Sequence, residues 1–520
     1  MVTHDLPHFI YKMPARVKIW RRGLESVMAE FKLSNNTLRR MMTHMSDNMD
    51  RGLEGGLEAS TIAMLPSFVP ELPDGTERGK FVAMDLGGTN LRVMIMEIEP
   101  GEEMRTKQFN TRISNAAMHG TGEQVLFDYI AKALADFLIE KELANDNLPV
   151  GFTFSYPCDQ TSLRSAKLLR WTKGVTATGV VGEDVVKLLE EAIERDGRIK
   201  VEVVALINDT VGTMVAAAYE TRGECDLGVI IGTGTNASYM ESTKAILYGL
   251  QNATVEYPHE EMIIDTEWGG FGDRGEAEYI FTQYDKIVDE RSDHPGVNSL
   301  DKLVAGMCMG EIVRLVLEKL CTHKVLFGGN GSKMLYTIGS FPTKYISEIL
   351  HDDCGSYANT RQIMDELGVD DYTFSDMLLF REVCLVVSRR SAYLSAAAIT
   401  CVLNRVRRPK MVVAIDGSTY KYHPFFHHWV TEKIRELIDP GLEFKIVQTG
   451  DGSGKGAALI AAIVTRVKMR EEKRKKDEEA RLAREAALLE KEIADEERAK
   501  RLTELFSYGE DRVKEEEGAM

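Results

Sequence analysis

Two short glycine-threonine turns are the first places where this chain could do chemistry. Asp85-Leu86-Gly87-Gly88-Thr89-Asn90 separates an apolar run at 80–84 from another at 91–98. Gly232-Thr233-Gly234-Thr235-Asn236 separates Leu227–Ile231 from strand-like residues at 237–240. Glycine lacks Cβ, so successive backbone N–H groups can converge on one anion, and a neighbouring threonine hydroxyl adds a donor. One such turn is as well explained by a tight β-hairpin. Two copies, both carrying Gly-Thr and Asn, point to a phosphate. A looser third version, Asp416-Gly417-Ser418-Thr419, follows the apolar run 411–415.

Two other glycine strings resemble nucleotide motifs and fail on detail. Gly232-x-Gly234-x-x-Ala237 fits a dinucleotide fingerprint, but that fingerprint opens a helix and Ser238-Tyr239-Met240 reads as extended. Gly450-Asp451-Gly452-Ser453-Gly454-Lys455 is one residue short of a P-loop, and Gly456 stands where the magnesium-binding Ser or Thr belongs. Small residues at 457–464 read as a helix, so this stretch is expected to pack a helix N-terminus closely.

Polar residues also gather at the ends of apolar runs. Asn208-Asp209-Thr210 follows Val201–Ile207, which puts Asp209 at the C-terminal mouth of a buried strand, where open α/β sheets take ligands. The same aspartate could instead cap the helix that follows it. Ser155 and Asp159 flank Pro157, Thr172-Lys173-Gly174 follows Trp171, and Asp265-Thr266-Glu267-Trp268-Gly269-Gly270 adds further donors and acceptors. Recognition of a polyol needs such fixed polar groups around each hydroxyl.

The elements that position these residues read as alternating strands and helices, an α/β fold. Residues 1–65 look helical, with Leu24, Val27, Met28, Phe31 and Leu33 near a 3.6 period, until Pro66, Pro70 and Pro73 interrupt. Helical segments are expected at 124–142 and 183–194. The duplicated hairpin suggests two related lobes. From 468 to 520, 14 basic and 17 acidic residues among 53 describe a charged single helix, with partner binding as its alternative.

Composition bounds the function. The 520 residues are 44% apolar, and 64 Lys and Arg against 81 Asp and Glu leave a net charge of −17. That balance argues against a surface built for nucleic acid or anionic lipid, so any anion must be held locally. Seven scattered cysteines without a CxxC pair read as reduced core residues. With no signal-like start and no run of about 18 apolar residues, a cytoplasmic protein is expected, an organelle or its surface being the alternative.

The strings Asp85-Leu-Gly-Gly-Thr-Asn-Leu-Arg92, Gly151-Phe-Thr-Phe-Ser-Tyr-Pro157, Leu169-Arg-Trp-Thr-Lys-Gly174, Asn208-Asp-Thr-Val-Gly-Thr213, Gly232-Thr-Gly-Thr-Asn-Ala237, Thr266-Glu-Trp-Gly269 and Asp416-Gly-Ser418 resemble the eukaryotic hexokinase family in order and spacing, from about residue 20 to 466. The resemblance implies an actin-like (ribonuclease H-like) ATPase fold, with two lobes around a cleft and the charged helix appended. It divides the chain into a helical segment at 1–75 on the large lobe, a small lobe at 76–207, a large lobe at 208–448, a helix returning to the small lobe at 449–466 and an extension at 467–520. It implies transfer of the γ-phosphoryl of Mg-ATP to the 6-hydroxyl of a hexose such as glucose.

Residue by residue, the resemblance makes Asp209 the general base and Lys173 the stabiliser of developing charge. Ser155, Thr172, Asn208, Asp265, Glu267 and Asp301 join them around the sugar. Asp85, Gly87, Gly88, Thr89, Asn90 and Arg92 would hold phosphates, with Asp85 near magnesium through water. Gly232, Thr233, Asn236, Thr343, Ser347, Gly417 and Ser418 would surround the nucleotide. The sequence departs from the family where Asp265 replaces the usual Asn, Asp301 the usual Glu, and Val297 and Asn298 the usual glutamines. Hydroxyl contacts on one side of the sugar are expected to differ. A non-catalytic sugar sensor or scaffold is therefore the alternative to an active kinase.

Overall fold

The computed structural model describes residues 25–517 apart from 88, 89, 173, 174, 255, 256 and 354. Chain contacts divide it into two compact units, Met1–Ile463 and Val464–Met520. The first unit carries the strands, which are, in chain order, β1 (Leu65–Pro66), β2 (Gly79–Leu86), β3 (Asn90–Ile98), β4 (Arg105–Arg112), β5 (Leu148–Phe154), β6 (Cys158–Ser162), β7 (Ser165–Leu168), β8 (Val201–Ile207), β9 (Leu227–Ile231), β10 (Thr235–Ser242), β11 (Glu261–Asp265), β12 (Lys410–Asp416) and β13 (Glu443–Gln448).

These build the same sheet twice. One runs β4-β3-β2-β5-β8 and the other β11-β10-β9-β12-β13, with β1 added at the edge beside β11. In each, three antiparallel strands are followed by two parallel ones. The two glycine-threonine turns occupy equivalent places, at β2–β3 and β9–β10. The third turn is not a hairpin: β12 lies parallel between β9 and β13, and its turn opens the short helix Ser418–Tyr422. Parallel pairing requires a crossover, here the helix Phe426–Leu437.

Apolar residues of the first sheet, Val82, Met84, Val93 and Ile95 among them, pack on the helices Phe127–Glu140 and Val185–Asp196. The segment expected to be helical at 124–142 begins with a π-turn at Gly122–Leu126. In the second sheet Val229, Ile231, Val413 and Ile415 share a core with Met41 and Met45 of the helix Asn35–Ala59 and with Leu394 and Ile399 of the helix Phe374–Val406.

The helix Gly452–Glu517 begins against both sheets. A Cβ on Gly456 would stand 2.0 Å from Gly212 O, and one on Gly151 would stand 2.1 Å from Ala457 O, so glycines permit backbone-to-backbone packing there. Residues 457–463 are buried. In the second unit the described side chains beyond 468 are exposed, Leu482, Leu488 and Leu502 included. Arg481 and Glu485, four positions apart along the helix, pair at 3.7 Å, a surface contact worth about 0.3–0.5 kcal/mol.

Candidate active site

The helix that follows β8 is Asp209–Glu220, and its cap is Asn208, whose side chain accepts from Thr210 N at 2.9 Å. Capping therefore falls to Asn208, and the Asp209 carboxylate lines a pocket with Ser155, Thr172, Asn208, Asn236, Glu267, Asn298 and Asp301. Strand β8 is buried through most of its length because its inward and outward faces are both apolar, and it delivers this polar triplet to the sheet edge.

Asn236, expected beside the nucleotide, lines this pocket instead. Strand alternation decides its direction. Its Nδ2 donates to Asp265 Oδ1 at 2.7 Å and Glu267 Oε1 at 3.1 Å, and lies 3.4 Å from Asn208 Oδ1. Asp265, expected to contact sugar, ends β11 beneath Asn236 and does not line the pocket. Burial first, then the neighbouring Glu267 carboxylate, hold its carboxyl well above the usual range. Asp159 lies on β6, outside the pocket lining.

Asp301 is fixed from two sides. Thr235 N donates to its Oδ1 at 2.6 Å, and Asn298 Nδ2 to its Oδ2 at 3.3 Å. Asn298, in left-handed backbone with φ 58°, also accepts from Arg170 Nη2 at 2.9 Å. A cavity of about 240 Å³ lined by Val288, Val297, Met307, Ile338 and their polar neighbours shares Thr172, Asn298 and Asp301 with the pocket.

Gly232, Thr233, Thr343, Ser347 and Ser418 line a separate cavity of about 540 Å³ together with Lys344, His351, Lys421 and Tyr422. The β9–β10 turn and the β12 turn touch here: Thr419 Oγ1 donates to Gly232 O at 3.0 Å, and Gly417, at φ 116°, could not carry a Cβ, which would fall 2.4 Å from Ile231 O. The Thr343 hydroxyl is engaged within the protein, accepting from Gly310 N at 2.9 Å and donating to Gly306 O.

The first turn is braced by the 450–455 string, which the sequence leads one to expect at a closely packed helix N-terminus. Ser453 Oγ donates to Asp85 Oδ2 at 2.8 Å, and Gly452 N to Asp416 Oδ2 at 2.8 Å. Arg92 pairs with Asp451 and lies 4.0 Å from Asp85. Tyr156 Oη donates to Gly87 O at 3.0 Å; burial and the nearby Asp209 and Asp85 raise its pKa. The string 450–455 is thus no P-loop, yet its glycines and serine meet the Asp85 and Asp416 turns, a signal present in the sequence. Gly88, Thr89 and Lys173 lie outside the described residues. Asp85 and Asp416 face the same 452–453 turn. Such carboxylates suit a cation that keeps its waters and takes phosphate oxygens, as magnesium does.

Two hexokinase family models match the chain, over residues 23–219 and 226–463. A hexokinase from Brugia malayi is 74% identical over 448 residues, covering 86% of this chain and 78% of that protein. Hexokinase-2 from Equus caballus is 40% identical over 479 residues, 90% of this chain and 50% of the horse protein, so the chain spans about half that relative's length. The solved hexokinase from Schistosoma mansoni complexed with glucose superposes with a TM-score of 0.80 at 38% identity, covering 86% of this chain and 99% of that one.

Proposed function

The chain belongs to the hexokinase family, and from that premise we propose that its pocket positions the 6-hydroxyl of a hexose, glucose above all, for transfer of the γ-phosphoryl group of ATP. Asp209 accepts the hydroxyl proton as the sugar oxygen attacks phosphorus. The new O–P bond forms while ADP departs with the bridging oxygen and its electron pair, and Asp209 later returns its proton to water. Transfer passes through a loose transition state, so positioning and charge neutralisation matter more than a strong base.

Ser155, Thr172, Asn208, Asn236, Glu267 and Asp301 hold the ring hydroxyls, and Lys173 adds positive charge. Gly232, Thr233, Ser347, Gly417 and Ser418 receive the nucleotide, and the turn from Asp85 to Arg92 the terminal phosphates. Asp85, with Asp416 beside it, would hold magnesium through water; bound there, the ion would neutralise charge on the transferring group. Phosphates reaching Arg92 compete with Asp451 and Asp85 for it. Residues 76–207 and 208–448 act as the two lobes, and their closure over sugar keeps water from the phosphoryl group. The six described cysteines are buried and free, as suits a reducing compartment such as the cytosol.

The observation that carries the reading is that Asn208 caps the helix, while Asp209 lines the pocket with Asn236 and Glu267. Purified protein assayed with Mg-ATP and a hexose panel, coupled to ADP release, tests it. Sugar-dependent turnover is expected, with glucose among the best acceptors; sugar binding without turnover on any hexose would overturn it.

A further inference from the structure

Asp265 is buried at 6% exposure and sits directly behind the sugar pocket. Its Oδ1 and the Oε1 of Glu267 accept from one nitrogen, Asn236 Nδ2, at 2.7 and 3.1 Å. Asn236 cannot turn its amide over, because its Oδ1 already accepts from Ala237 N at 2.7 Å and Thr266 Oγ1 at 3.2 Å. The two carboxyl groups are therefore held within about 6 Å of each other, close enough for one charge to oppose the other.

The described titratable groups that face Asp265 are Glu267 from the loop after β11, Asp209 from the helix after β8 and the Cys158 thiol from β6. All three are acids, and none is a base that could pair with Asp265. Its strand neighbours on β1 and β10 are Leu65 and Ser238, both uncharged. A buried carboxylate and a half-buried one sharing a single amide cannot both ionise cheaply, and Asp265 lies farther from the pocket opening than Glu267, which lines it.

We propose that Asp265 is carried protonated at neutral pH and is a positioning residue: its O–H donates to Glu267, which stays ionised and aimed at a sugar hydroxyl. Loss of that proton at alkaline pH puts a second charge behind the pocket, leaves Glu267 to the Asn236 and Asn208 amides at 3.1 and 3.2 Å, and weakens sugar binding. The step moves one proton from Asp265 to water and breaks no other bond. This inference rests on the reading that the pocket binds a hexose, and it concerns affinity, not the transfer step.

The test is glucose binding by calorimetry, beside initial rates with Mg-ATP, from neutral pH to about pH 9.5. It compares the wild-type protein with Asp265→Asn, whose amide N–H replaces the O–H and does not titrate. In the wild type the dissociation constant and KM for glucose should rise about tenfold across that range, the cost of a lost hydrogen bond to a charged group. In Asp265→Asn both should stay flat. An equal rise in both proteins, or a change in kcat with KM unmoved, overturns the proposal. Should Asp265→Asn not fold, Asp265→Ser also removes the titrating group and is read the same way. Glucose that binds with this pH dependence but is never phosphorylated faults the kinase reading and leaves this one standing; phosphorylation with no alkaline loss of affinity does the reverse.

Discussion

The sugar-side pocket and the nucleotide-side cavity meet at one turn and have opposite chemistry. The pocket is lined by Asp209, Glu267 and Asp301, with Asp265 behind, and the described residues lining it include no lysine or arginine. The cavity is lined by Lys344, Lys421, His351 and hydroxyl groups, with Glu348 as its acid. The β9–β10 turn divides them: Gly232 and Thr233 face the cavity, whereas Gly234, Thr235 and Asn236 face the pocket. Carboxylates accept hydrogen bonds from sugar hydroxyls, while cations, hydroxyls and backbone N–H groups take an anion. In a chain of net charge −17, the cavity with one acid and two lysines is thus the better suited of the two to a triphosphate.

The comparison breaks most completely at Asp209. Asp209→Ala should lower kcat by about two to four orders of magnitude, the usual worth of a positioned base, leaving KM for ATP unchanged in a coupled assay. Glu267→Gln should come next, raising KM for glucose about tenfold or more and again sparing ATP, as initial rates with each substrate varied will show. On the other side of the turn, Gly417→Ala forces a Cβ toward Ile231 O in a backbone region L-residues avoid, so a loss of about 1–3 kcal/mol is expected. Thermal melts should show a lower Tm, and KM for ATP should rise while glucose affinity holds.

The smallest effect sharpens the acidic side. Because the folded state holds the Asp265 carboxyl above its usual range, the folded protein binds more protons than the unfolded chain from the ordinary carboxylate range upward. Stability contributed by this group is present at low pH and falls as pH rises through that window, by at most about 1.4 kcal/mol per pH unit. Tm of Asp265→Asn relative to wild type should accordingly climb with pH. A constant difference would mean that Asp265 is ionised in both states.

Much of this was legible in the sequence. Val201–Ile207 and Leu227–Ile231 are strands with the bounds their apolar runs suggested, because buried strands need little besides uninterrupted apolar residues. The duplicated turn announced the duplicated sheet. Strand β4 carried no such signal, since nearly all of its residues are exposed, and the β6–β7 hairpin is short and polar. Asn236, expected beside the nucleotide, lines the other pocket because neighbours along a turn can face opposite sides, and motif spacing does not encode that direction. Asp265 was identified as a departure, but its place behind Asn236 depends on strand pairing between β10 and β11. Ser453 was visible within a glycine-rich string whose partners, Asp85 and Asp416, lie far away in sequence.

The central claim is that Asp209 serves the chemistry and not the fold or the hold on sugar. Glucose titration of Asp209→Ala by calorimetry tests it most directly. A dissociation constant close to that of the wild-type protein is expected in a variant that no longer phosphorylates glucose. Loss of glucose binding together with turnover, or turnover that survives the substitution, would contradict it.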